Sequence, residues 1–273
     1  MIRMPISFQS ILLASLTMFF LCVPARAFSW NLGIGPSLYY SVWTPEFIGQ
    51  HENAQADPAL LAGGIVSFQF YERYILSAQT MFSVTSQEAE YTVDVPSAAK
   101  ITLNTGYKRE ENEISFMYVL NARFRISLGY KMMNFDEIEL IGSHTVPSYP
   151  VQIGKFSNQF HILGPGLGIS YGMPLPGNFS ASLGTSILYF WMTYYGYFPH
   201  DSGTAIEAEN VTYEYNGIGN NTSLVFSYFF SSISTSINFG GRCQVIRYLD
   251  SGSAPELGYD LNYGLTLSAL YIW

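Results

Sequence analysis

The chain has 273 residues, 12 of them Lys or Arg and 20 Asp or Glu, for a net charge of −8; 12% are charged and 16% aromatic. A soluble domain ordinarily carries about 25% charged residues, and an acidic chain without a basic stripe is unsuited to nucleic acid, so the composition speaks against both. The 24 glycines permit close inward packing.

In chain order, the first element is a leader. Arg3 supplies a short basic start, Ile11 to Val23 is apolar apart from Ser15 and Thr17, and Ala25, Arg26 and Ala27 offer small residues at a cleavage site. This pattern predicts a signal peptide over residues 1–27 and a mature chain over 28–273. Cys22 follows Leu21, where a lipoprotein signal requires a small residue. With the leader removed, Cys243 is the sole cysteine, which excludes an intramolecular disulfide. Beyond Val23 no run approaches the ~20 apolar residues of a spanning helix. An exported chain of this kind is either soluble or a barrel.

Period-two alternation then predicts ten strands. The first covers 28–42, with Phe28, Trp30, Leu32, Ile34, Leu38 and Tyr40 on one face and Ser29, Asn31, Gly33, Gly35 and Ser37 on the other. Four pairs follow, at 61–70 with 74–84, 114–120 with 124–132, 160–173 with 179–195, and 222–230 with 233–245. The last strand is 261–273. Short turns near 72, 122, 176 and 231 alternate with long segments at 43–60, 86–112, 134–158, 197–218 and 248–257. That rhythm is expected of an all-β, antiparallel up-and-down transmembrane barrel with both termini on one side, with eight strands as the alternative count. Tyr91, Val93 and Val95 against Ile101 and Leu103, and likewise Val211, Tyr213 and Tyr215, predict hairpins that carry the wall beyond the membrane.

A soluble sandwich also alternates. Here, however, the bulky face is opposed by very small side chains, such as Ser180, Ser182, Gly184 and Ser186, or Gly164, Gly166 and Gly168. Those fit the crowded lumen of a small barrel, while the bulky parity faces lipid. Tyr39, Tyr40, Trp43, Tyr130, Trp191, Tyr194 and Trp273 are expected at the interfaces, where amphipathic rings are stable.

The last strand, with Tyr271 and Trp273 at its end and apolar residues at alternate positions, resembles the closing strand of bacterial outer-membrane β-barrels. The resemblance implies that Tyr271 and Trp273 form the signal read by the barrel-assembly machinery, although that family usually ends in Phe. Together with the leader and the strand pattern, the chain resembles the OmpW-like and OmpX-like groups and the small barrels of spirochaetes. It implies an integral protein of the bacterial outer membrane, with lipids and the assembly machinery as partners and long loops outside. Two functions stay open: a narrow channel for small or amphiphilic solutes, and a surface interaction or adhesion protein using acidic extracellular loops.

All of the 20 acidic residues except Glu72 fall in the long segments and their flanks, among them Glu110, Glu111, Glu113 and Asp260, with Arg109 as one of few cations. An acidic rim attracts cations or a basic surface, or simply keeps loops soluble. On lumen parity lie Arg125, Lys131, Arg242 and Gln244, with Glu113 and Asp260 nearer the outer ends. Such charges either set solute selectivity or pair to hold the wall together. Gly164, Gly166 and Gly168 leave space either for a ligand or for Arg125 or Lys131 of the adjacent strand.

Catalysis is not expected. The ten-strand count resembles the omptin proteases, which need two aspartates facing an Asp/His pair, but His200 and Asp201 are adjacent and so point to opposite faces of a strand. His51, His144 and His161 lack companions at metal spacing, and His161 and Ser170 lie on opposite parities. No enzyme, metal or cofactor is predicted.

Overall fold

The computed structural model describes residues 29–44, 57–94, 100–144, 155–201, 206–249 and 258–273. The predicted leader and the tips of the long connections lie outside these residues. The chain forms β1 (Trp30–Thr44), β2 (Ala59–Phe70), β3 (Tyr74–Ser83), β4 (Gln87–Asp94), β5 (Lys100–Val119), β6 (Phe124–His144), β7 (Lys155–Pro174), β8 (Phe179–Asp201), β9 (Ile206–Phe230), β10 (Thr235–Leu249) and β11 (Tyr259–Ile272). Apart from β3 and β4, each strand pairs antiparallel with its sequence neighbours; β3 pairs with β5, and β11 returns to β1 with Ser37 opposite Ser268. The result is a closed ten-stranded barrel with one extra strand. That strand, β4, follows the line of β3 after a break at Val84–Ser86 and pairs with the outer part of β5, Tyr91 opposite Leu103. The expected hairpin is therefore present, as is the one between β8 and β9, with Tyr194 opposite Tyr213.

The short turns are locally encoded. Tyr71 and Glu72 both take positive φ, 50° and 59°, within the three-residue connection that sets Phe70 opposite Tyr74, and such backbone matches the twist of the flanking strands. Asn121 Oδ1 accepts from the backbone N–H of Arg123 and of Phe124, each at 2.9 Å, and so closes the β5–β6 turn with its own side chain. Two strands contain Gly followed by Pro, where the ladder loses an N–H. A Cβ on Gly35 would lie 1.6 Å from the carbonyl oxygen of Ala269, and one on Gly164 1.9 Å from that of Tyr189. Only glycine permits these close approaches of neighbouring walls.

The outward parity is apolar and open, with Leu167 67%, Ile187 65% and Leu265 53% exposed. On β6 the apolar run is Phe124, Ile126, Leu128, Tyr130 and Met132, about the nine to eleven residues that a tilted strand needs to cross a bilayer. At the turn end the band is bordered by ring pairs: Phe124–Tyr171 at 5.1 Å, Phe179–Tyr228 at 4.5 Å and Tyr271–Trp273 at 4.6 Å. At the far end Tyr40, Tyr189 and Trp191 are exposed. Beyond them the outer face turns polar, with Thr80 donating to Asn112 (2.6 Å), Asn112 to Glu110 (2.7 Å), and His161 Nδ1 2.9 Å from Asn134 Oδ1. An apolar belt between aromatic girdles is the outer surface of a barrel in lipid.

Strands β5 to β9 have 20, 21, 20, 23 and 25 residues, twice what the band requires. The wall thus continues far past the predicted strand ends, because above the band the polar–apolar contrast that marks a strand in sequence disappears. Three aromatics expected at the interfaces, Tyr39, Trp43 and Tyr194, are instead buried inside the barrel. They lie on the inward parity, where neighbouring walls cover them, while Tyr40, Trp191 and Trp273 face out as expected.

Candidate functional site

On β5 the inward residues are Tyr107, Arg109, Glu111, Glu113 and Ser115, in line with the small lumen residues below them. Glu111 is buried at the centre of the barrel and pairs with Arg109 of its own strand. Lys131 Nζ of β6 is 2.8 Å from its carboxylate, and Arg242 Nη1 of β10 is 3.0 Å away. Strands β5 and β10 are five neighbour steps apart in either direction round the barrel, so this ion pair bridges the full width of the lumen. Gln244, also on β10, accepts from Arg242 Nη2 at 3.0 Å and from Arg109 Nη2 at 3.4 Å. Arg242 Nε donates to Asn221 Oδ1 at 3.0 Å.

The guanidiniums also stack. Arg109 lies 5.2 Å from the Phe135 ring centroid and Arg242 5.2 Å from that of Tyr39, within cation–π range. Among the described residues, Arg109 Nε and Nη1 have no hydrogen-bond acceptor. Tyr39 in turn donates to Asn262 Oδ1 at 2.5 Å, and Ser41 Oγ donates to the same oxygen at 3.1 Å. One carboxylate thus orders three cations and a shell of amides and hydroxyls.

Above this belt the lumen is filled by Trp43, Tyr107, Met133, Phe135, Phe160, Ile162, Leu188, Phe190, Met192, Tyr194, Tyr215, Ile246 and Tyr248. Trp43 of β1 stacks on Phe135 of β6 at 4.8 Å and meets Tyr107 of β5 edge-on at 4.9 Å. Side chains of walls three and four strands apart therefore meet here across the lumen. Below the belt the wall carries Ser and Gly, and a cavity of about 60 Å³ lies beside Lys131, Glu113, Gln244, Asn221, Gly166 and Ser127. That volume is room for several waters.

The predicted lumen residues divide accordingly. Lys131, Arg242 and Gln244 come together in the belt. Glu113 is not near the outer end but at the level of Lys131, 4.0 Å from it, with its side chain 39% exposed to the cavity. Asp260 faces inward and accepts from Tyr248 O–H at 2.7 Å inside the apolar layer. Arg125 stays apart near the turn end, opposite Ser170. Gly164 lies opposite Lys131 and Gly166 beside it, which agrees with small residues making room for that lysine.

Arg109 and Glu111 were expected on the rim alone, and the structure corrects this: both are buried in the barrel, because β5 runs past the predicted strand end. Alternation of Tyr107, Arg109, Glu111 and Glu113 in phase with Ser115 was the available signal. It was masked because Lys108, Glu110 and Asn112 on the other parity are polar too. His161 faces outward, as its parity predicts. The β8–β9 register sets His200 opposite Glu207 and Asp201 opposite Ile206.

A closed antiparallel barrel with an apolar outer band, aromatic girdles and an interior bridged by charge is a transmembrane β-barrel. No protein-family model matches the sequence, and no curated protein resembles it in sequence. Among solved structures it is similar to the outer membrane protease OmpT from Escherichia coli, with a TM-score of 0.57 at 12% identity over 91% of this chain and 99% of that one. The translocator domain of the autotransporter NalP from Neisseria meningitidis also matches, with a TM-score of 0.42 at 7% identity over 96% of this chain and 95% of that one. Neisserial surface protein A does so with a TM-score of 0.38 at 10% identity over 90% and 99%. At such identity the OmpT likeness establishes a shared fold and nothing of shared chemistry.

Proposed function

We propose that this protein is an integral protein of a bacterial outer membrane, similar in kind to the OmpW-like and OmpX-like small barrels, and that its working surface is the acidic outer rim. The barrel is then the mount, and the partner a cationic or basic surface. The observation that carries this reading is the filled lumen: a wall bridged by Glu111 and Arg242 and capped by the Trp43 layer supports a rigid platform better than a solute path. Exposed Asp57, Glu88, Asp136 and Glu214, with the other acidic residues of the long connections, add the charge.

Folded protein in planar bilayers should be electrically silent at 1 M salt. A steady conductance would overturn the mount reading in favour of a narrow channel, which the Ser- and Gly-lined cavity below the belt supports. In that case the currents should prefer cations, and the preference should fade with salt as the Debye length falls from about 10 Å at 0.1 M to about 3 Å at 1 M. Neutralising Arg125 and Lys131 should then raise cation selectivity.

Orientation is tested separately. In a Cys243→Ser background, single cysteines replacing Ser97 and Ser253, both outside the described residues, should react with a membrane-impermeant maleimide on intact cells. One replacing Ser232, in the β9–β10 turn, should not. The opposite pattern would put the acidic end in the periplasm and remove the proposed surface role.

A further inference from the structure

The longest strand, β9, has 25 residues, but β10 ends at Leu249 opposite Asn216. Above that point Ile206–Tyr215 continues to pair with β8, with Asp201 opposite Ile206 and Met192 opposite Tyr215. Among the described residues no strand pairs with its other edge. Ten residues at about 3.3 Å each make an edge of about 33 Å.

Which backbone groups face that edge follows from two contacts. Phe229 N–H donates toward β8, to Asn178 O at 3.0 Å, whereas Tyr248 N–H points away from β9, to Gly258 O at 3.4 Å. Backbone groups alternate in direction along a strand. Odd-numbered residues of β9 therefore bond to β8, and even-numbered ones face β10. Above Asn216 the N–H and C=O of Glu214, Thr212 and Asn210 consequently face the open edge.

The edge is also held in place. Val211 and Tyr213 pack against the apolar layer, Tyr213 stacks on Tyr194 at 6.1 Å with planes 9° apart, and Tyr215 meets Tyr248 at 6.2 Å. A supported strand whose edge groups have no strand partner among the described residues is a template for strand addition. Its sequence has Glu207, Glu209 and Glu214 and no basic residue. A second copy laid along the same edge would gather six carboxylates in one ribbon, which like-charge pairing disfavours, whereas a basic strand neutralises them.

We propose that the edge of β9 over residues 206–215, which has no strand partner among the described residues, accepts an extended, cationic polypeptide segment as an added β-strand. The proposal deepens the rim reading by naming the mode of binding and the chemistry of the partner, and it rests on that reading.

The test uses the full-length protein in nanodiscs and an alternating Lys/Val octapeptide, beside the same peptide N-methylated at alternate residues, which keeps the charge and loses half its main-chain donors. The unmethylated peptide should bind at 50 mM NaCl and protect the amides of Asn210, Thr212 and Glu214 from exchange. The methylated one should bind at least tenfold more weakly. Thr212→Pro removes an edge N–H while leaving the β8 ladder, a substitution edge strands tolerate, and should reduce binding of the unmethylated peptide at least tenfold. Glu209→Gln with Glu214→Gln should weaken binding and flatten its salt dependence, and this pair does not rely on the proline variant folding. Equal, salt-sensitive binding of both peptides would overturn strand addition and leave the acidic rim standing. Binding of neither would overturn both readings. Amides of Asn210, Thr212 and Glu214 already protected in the free protein would mean that the chain itself occupies the edge, and would overturn the proposal alone.

Discussion

Replacing Glu111 with Gln should destabilise the barrel by about 3 to 5 kcal/mol, the usual cost of removing one member of a buried charge cluster. The substitution conserves shape and removes only the charge. Arg109, Lys131 and Arg242, which converge on this carboxylate at up to 3.0 Å, would then face one another in a water-poor interior. Repulsion and lost desolvation compensation act together, so the loss should exceed that of Lys131→Met, which deletes one of three partners and leaves the other two pairs intact. Adding Arg109→Met to Glu111→Gln should recover part of the loss, since it lowers the uncompensated charge. Guanidinium unfolding in detergent micelles, followed by tryptophan fluorescence, measures each value. A loss below about 1 kcal/mol for Glu111→Gln would mean that the belt is wet and screened, as surface pairs are, and that the lumen is not bridged by it.

A second large effect separates the two faces of the closing strand. Leu267 and Ser268 are adjacent on β11 and lie at one depth; Leu267 faces out among Leu38 and Phe239, whereas Ser268 faces in and accepts from Asn238 Nδ2 at 3.1 Å. Leu267→Arg should cost about 2 to 4 kcal/mol, the penalty for a cation on the lipid face near the bilayer midplane. Ser268→Arg loses one hydrogen bond but enters the polar half of the lumen and should cost clearly less. Folding into lipid vesicles, read as the unfolding midpoint of each variant, decides between them. Equal costs at the two positions would contradict the assignment of lipid and lumen faces.

The inferred membrane mount and the filled interior bear on each other. A lumen packed with Trp43, Phe135 and Phe190 makes the outer part of the barrel resemble the core of a water-soluble β-barrel, which is what strands need once they leave the lipid and must bury an apolar face of their own. The charge belt sits at the transition between this core and the Ser- and Gly-lined half below. The rim hairpins therefore project from a wall that is braced from within.

The sequence by itself determined the class and the order of the walls. Alternation within the lipid band is enforced by two solvents of opposite character, hydrocarbon outside and polar groups inside, so Phe124 to Met132 or Leu261 to Trp273 can be read one residue at a time. The turns were legible for a similar local reason, because Asn121 and the segment around Glu72 close tight hairpins with their own atoms. What only the tertiary structure decided is the content of the lumen. Arg109 and Glu111 look like loop charges until β5 is extended to Lys100, and Tyr39 and Trp43 look like girdle residues until neighbouring strands cover them. Closure brings Arg242 across to Glu111, 131 positions distant in the chain, and no spacing along the sequence encodes a contact made between opposite sides of a ring.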